Sequence, residues 1–213
     1  MKIKVSILAC SLAIWLAACS GDASQNSQSD TTTETHHADT PASHALTQNG
    51  MAAIMHNMMS QMQAMKMTND PEVDFASMMI THHQGAIDMS NLELQQGTDA
   101  NMKSMAQKII ADQTREIQEL KDFLAANKLD NNIPAFSMDA MENMKKMEMS
   151  TGNTGNVDND FAALMKAHHE SALNDAQTYL KHGNNEALKT MANGMIEKQK
   201  QEIKELEGWL AAK

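Results

Sequence analysis

One segment of this chain occurs twice, and no other feature constrains the fold as much. Asp74–Leu124 aligns without a gap on Asp160–Leu210, at an offset of 86 residues, with about 19 of 51 positions identical. The identities include Phe75/Phe161, Met79/Met165, His82/His168, His83/His169, Gly97/Gly183, Met105/Met191, Gln113/Gln199, Glu116/Glu202 and Ile117/Ile203. The chain therefore has to fold as two like halves.

Each copy opens on a His-His pair. In DFASMMITHHQGAIDM, Asp74–Met89, apolar residues recur three and four apart, which predicts a helix. Asp74 is the expected N-cap, with Pro71 in the first turn or just before it. At roughly 100° per residue, Met79 and Ala86 lie mid-stripe, with His82 and His83 on either side. Met78 is one turn before His82, and Met79 one turn before His83. Two nitrogen and two sulfur donors thus share about one turn. The second copy, DFAALMKAHHESALND, keeps Met165, His168 and His169 but has Leu164 for Met78 and Asp175 for Met89. One histidine or methionine on an apolar face is ordinarily packing. A pair retained through internal divergence points further.

Ahead of each His-His helix runs a methionine-rich stretch. Met51, Met55, Met58, Met62 and Met65 step by four and three, a helical seam written in methionine. Met59, Met67 and His56 fall off that seam and should be more exposed. Met138, Met141, Met144, Met147 and Met149 form the counterpart in the second copy. The chain holds 21 methionines against an aromatic content of 3%, whereas a core needing only volume would favour leucine. After each His-His helix comes a Gln-Glu-Ile helix. The first runs from about Asp99 to Ala126, with Met102, Met105, Ala106, Ile109, Ile110, Ile117, Leu120 and Leu124 on one face. Gln113, repeated as Gln199, sits mid-face. A buried amide there is expected to hydrogen-bond an imidazole or carboxylate and orient it.

The N-terminus has a different character. Lys2 and Lys4 precede the apolar run Val5–Ala18, too short for a bilayer but right for a signal peptide. Leu16-Ala17-Ala18-Cys19 matches a lipobox, so 1–18 reads as signal and Cys19 as the lipidated residue. Ser20 after it favours the outer membrane somewhat, with the domain facing the periplasm. Residues 19–47, rich in Ser, Thr, Asp and Gln, form a flexible tether. Cys10 and Cys19 are the only cysteines, so the mature chain has no thiol and any soft metal ligand must be a thioether. Loss of Lys2 and Lys4 leaves 15 basic against 27 acidic residues, a formal net charge of −12. Such a charge excludes nucleic acid as a partner and leaves the lipid as the only tie to the membrane.

The expected architecture is all-α: repeats 48–130 and 134–213, each a methionine helix, a His-His helix and a Gln-Glu-Ile helix. The last two helices of each copy should build one four-helix bundle over 74–212, with the methionine helices packed on it. DFASMMITHHQGAIDM followed by MAQKIIADQTREIQELKDFL resembles the bacterial family known as domain of unknown function 305. Its pattern is D-F-x-x-x-M-x-x-H-H, then a helix with Q-x-x-E-I. The resemblance covers Asp74 to Leu210 and implies a ferritin-like bundle. It is similar in its methionine-rich extensions to periplasmic copper-binding proteins linked to copper and silver tolerance. Met79, His82, His83, Met165, His168 and His169 would be the motif residues. Glu170 and Ser171 depart from Gln84 and Gly85 of the first copy.

The donor chemistry agrees. Thioethers and imidazoles without thiolates suit Cu(I) and Ag(I), with Cu(II) open to the histidines, in an oxidising compartment. The candidate ligands are those six residues, then Met78, Met89, Met105, Met191 and Met195. His56 and Met59 belong to weaker sites on the methionine helices. The expected function is a lipid-anchored protein that sequesters Cu(I) or exchanges it with periplasmic donor or acceptor proteins, and not an enzyme. A di-iron oxidase needs Glu-x-x-His on two bundle helices, and that spacing occurs only at Glu34–His37 in the tether. Non-covalent haem held by His and Met, and a methionine face that binds a partner protein, remain as alternatives.

Overall fold

A computed structural model describes residues 50–127, 130–146 and 154–213. The signal, Cys19, the tether with its three histidines, Met147 and Met149 lie outside them. Six helices follow in order: α1 Met51–Ala64, α2 Pro71–Gln96, α3 Ala100–Ala126, α4 Pro134–Lys146, α5 Val157–His182 and α6 Glu186–Ala211. The architecture is all-α. No helix among the described residues is long and apolar enough to cross a membrane.

Helix starts follow from local chemistry. Asp70, not Asp74, caps α2: its carboxylate accepts from Glu72 N at 2.9 Å and Val73 N at 3.1 Å, with Pro71 as first helical residue. Asp74 lies one turn further in and reaches back. It accepts from Thr68 N and Oγ1 at 2.8 and 2.7 Å and from Ser137 Oγ at 2.8 Å, tying the α1–α2 loop and α4 to α2. Asp160 repeats the bond to the loop, accepting from Thr154 N at 2.9 Å and Oγ1 at 2.8 Å. α2 ends at Gly97, its C-cap, and Gly183 does the same for α5.

Packing brings the two halves together. α2 lies along α3, and α5 along α6, and the two pairs meet chiefly through α2 against α5. Those four helices are the bundle. α1 packs on α2 and α5, and α4 on α5 and α2, so α2 and α5 are covered on both sides. Two carboxylates lock the halves. Glu72 of α2 accepts from Asn184 N at 2.7 Å and Asn185 N at 3.1 Å, where α6 begins. Asp158 of α5 accepts from Thr98 N and Asp99 N, both at 2.8 Å, where α3 begins. Each places negative charge at a helix N-terminus, where amide donors lack intrahelical partners. One end of the core is aromatic: Phe75 stacks on Tyr179 with ring centroids 4.5 Å apart, and Phe136 meets Phe75 edge-on at 6.4 Å.

The methionine seam of α1 is real: Met51, Met55, Met58 and Met62 are buried, His56 is exposed, and Met59 and Met67 are half-buried. Gly85 of α2 seats one of them, since a Cβ there would fall 2.6 Å from Met58 Sδ. α4 behaves differently from its counterpart. Met144 is buried, but Met138 is 64% and Met141 45% exposed, so α4 has no continuous seam. Phe136 and Ala140 carry its packing face instead, one turn apart.

Candidate metal centre

Because α2 and α5 lie between the other pairs, side chains at their contact are shielded from solvent. His82, His83, His168 and His169 are all fully buried there. His82 and His168 meet face to face, ring centroids 3.7 Å apart and planes tilted by 39°. His168 Nε2 donates to the His82 carbonyl at 2.9 Å, which leaves His168 Nδ1 as the lone-pair nitrogen. No such bond runs the other way: both ring nitrogens of His82 are without a hydrogen-bond partner. The two halves therefore differ at their centre. Burial first, and the neighbouring imidazoles after it, hold His82 and His168 well below the usual histidine range, so both are neutral.

The outer histidines face carboxylates. His83 Nε2 lies 3.1 Å from Glu116 Oε2 on α3, and His169 Nε2 lies 3.1 Å from Glu202 Oε2 on α6. A carboxylate beside Nε2 favours a proton there and a lone pair on Nδ1, and neither Nδ1 has a partner. Metal-binding histidines commonly show this arrangement, one nitrogen on a carboxylate and the other free for an ion. Lys198 Nζ sits 2.8 Å from Glu116 Oε1 and 3.1 Å from Asp112 Oδ1, spanning from α6 to α3. Burial would raise Glu116, but His83 and then Lys198 outweigh it and bring its pKa down to about 2. Lys108 reaches Glu202 at a looser 3.7 Å.

Glu116 and Glu202 are the partners that sequence reasoning missed, though both stood among the repeated identities three residues after the glutamines. The glutamines themselves disappoint the expectation. Gln113 and Gln199 are buried, and neither amide nitrogen nor amide oxygen makes a hydrogen bond. A helix face admits both positions, but the glutamate falls nearer the imidazole.

The candidate thioethers divide. Met78, Met79, Met89 and Met165 are fully buried on α2 and α5, the helices that carry the histidines. Met191 and Met195 line a cleft of about 190 Å³ between α3 and α6, with Arg115, Glu116, Glu119, Gly194 and Lys198. Met105 lines a second cleft along the same seam, with Met102, Ser104, Lys108, Glu205 and Trp209. Met191 and Met195 of the second repeat thus share a cleft with Glu116, the carboxylate beside His83. His56 and Met59 lie on α1, apart from the histidines in sequence. Among the described residues, no three His, Cys, Asp or Glu side chains converge to hold an ion by themselves.

The chain matches the family described as domain of unknown function DUF305 over residues 10–124 and 126–210. It belongs to the DUF305 family. No curated protein matches it. Among solved structures, a secreted DUF305 protein of Streptomyces coelicolor shares the fold at a TM-score of 0.54 and 24% identity, over 68% of this chain and 94% of that one. A DUF305 fragment from Deinococcus radiodurans does so at 0.52 and 21%, over 67% and 97%. CopM in a Cu(II)-bound form is similar at 26% identity and a TM-score of 0.51, over 66% of this chain and 97% of that one. CopM has also been solved in an Ag-bound form.

Proposed function

We propose that this DUF305 protein binds Cu(I), and Ag(I) in its place, sequestering the ion or handing it to another envelope protein without catalysing a reaction. The observation that carries this is the core of four buried imidazoles with unpartnered nitrogens. An unpaired buried polar group costs roughly 1–3 kcal/mol. His82 and two amides have no partner, and His83, His168 and His169 each keep an unpartnered Nδ1, so several such costs fall in one core. A core is expected to shed such groups unless a ligand uses them. The neutral rings are already in the form that ligates metal, so binding needs no proton released from His82 or His168. The thioethers of Met79 and Met165, each one turn before an outer histidine, supply the soft donors that favour Cu(I) and Ag(I). The histidines leave Cu(II) open as a second state. CopM, the similar protein solved with Cu(II) and with silver, supports copper and silver as the ions.

The lipobox and the absence of thiols beyond Cys19 support a lipid-anchored place on the periplasmic side of the envelope, with the outer membrane favoured. The test is metal choice. Cu(I) and Ag(I) should bind at least about a hundredfold more tightly than Zn(II), which prefers nitrogen, oxygen and thiolate donors. Comparable Zn(II) affinity contradicts the proposal.

A further inference from the structure

α1 and α4 touch, and three methionines line one small space at their seam. Met62 is the last buried residue of the α1 seam, and Met59 lies three residues before it, on the same side of the helix. Met144, also buried, comes from α4. With Gln63 these three line a small cavity of about 10 Å³. A space of that size holds roughly one water-sized body. It fits a single ion and excludes any organic ligand.

Its walls decide which ion. No acidic or basic residue lines it, only three methionines and one glutamine. A dication here would be desolvated with no opposing charge, which is costly, whereas a soft monovalent ion loses less and gains sulfur ligands. Repeat arithmetic adds a stoichiometry. At the 86-residue offset Met58 corresponds to Met144, but Met59 and Met62 correspond to Lys145 and Glu148. The mate of this cavity therefore lacks two of its three thioethers, so the second half does not repeat the site.

We propose that Met59, Met62 and Met144 form a three-thioether site for one monovalent soft cation, distinct from the histidine centre. It rests on the soft-metal reading of the protein but not on the histidines. The experiment is Ag(I) titration of the mature chain, with mass spectrometry for stoichiometry. A Met59→Leu/Met62→Leu/Met144→Leu variant keeps the apolar volume. It should lose one equivalent of Ag(I), while a variant with His82, His83, His168 and His169 replaced by alanine keeps that equivalent. Methyl NMR of the wild type provides a readout that needs no variant to fold: the Met59, Met62 and Met144 methyl signals should shift together with one equivalent. Unchanged stoichiometry in a helical leucine variant, or methyl signals that stay put while silver binds elsewhere, overturns the site and leaves the soft-metal reading standing. A wild type that binds no silver or Cu(I) overturns both.

Discussion

Asp175 offers a quantitative test of how the core is built. It stands on α5 where the first repeat has Met89, and it is about 1% exposed. Asn143 Nδ2 donates to one carboxylate oxygen at 3.2 Å, and the other oxygen has no partner. Burial outweighs that single bond and raises its pKa from 3.8 to about 7. The native state therefore holds this proton more tightly than the unfolded chain does. Its contribution to stability is fully present below the unfolded pKa and is lost as pH rises through the folded one. At about 1.4 kcal/mol per unit, moving from about pH 5 to about pH 8 removes roughly 3 kcal/mol. Asp175→Asn has the same shape and no titration. The difference in unfolding free energy, variant minus wild type, should thus grow by about 3 kcal/mol over that range, measured by urea unfolding at several pH values. Other groups titrate in the same interval: His82 and His168, held low, lose stability as pH falls, and Glu93, raised by burial and then by Asp158 to about 8, loses it as pH rises. Both proteins share them, so they cancel in the difference. A difference that stays flat with pH would refute the burial of this carboxylate.

Two further outcomes follow from other parts of the chain. Glu72→Ala removes the acceptor for Asn184 N, Asn185 N, Asn131 Nδ2 and the Tyr179 hydroxyl. It should cost on the order of 3 kcal/mol in thermal unfolding, and a loss below about 1 kcal/mol would contradict its role in joining the halves. Cys19→Ser should leave the protein unprocessed or release it into the soluble periplasmic fraction. Unchanged processing and membrane association would remove the lipid anchor from the account.

Much of this was legible because helical periodicity and a gapless repeat act over many residues at once. The α1 seam and the buried histidines both follow from apolar spacing. Single-residue partners were not legible in the same way. Asp70 and Asp74 are both plausible caps by residue type. Only the backbone path shows that Asp70 takes the helix start while Asp74 folds back on Thr68. Gln113 and Glu116 share one helix face, and a turn of rotation at the α2–α3 contact decides which meets His83. The exposed Met138 and Met141 were hidden for another reason: α4 packs through Phe136 and Ala140, and a methionine count cannot rank those against thioethers.

The central claim is that the four buried histidines form the specific metal centre and the methionine helices add capacity. Anaerobic Cu(I) titration of the mature domain against a competing chelator tests it most directly. The wild type is compared with a variant in which His82, His83, His168 and His169 are alanine, and with one in which Met51, Met55, Met58, Met59 and Met62 are leucine. Circular dichroism must show both variants helical. The account predicts that the alanine variant loses the tightest constant and keeps weaker binding, while the leucine variant keeps the tightest constant and binds fewer ions. A helical alanine variant that retains the tightest constant, with the leucine variant losing it, would contradict the claim.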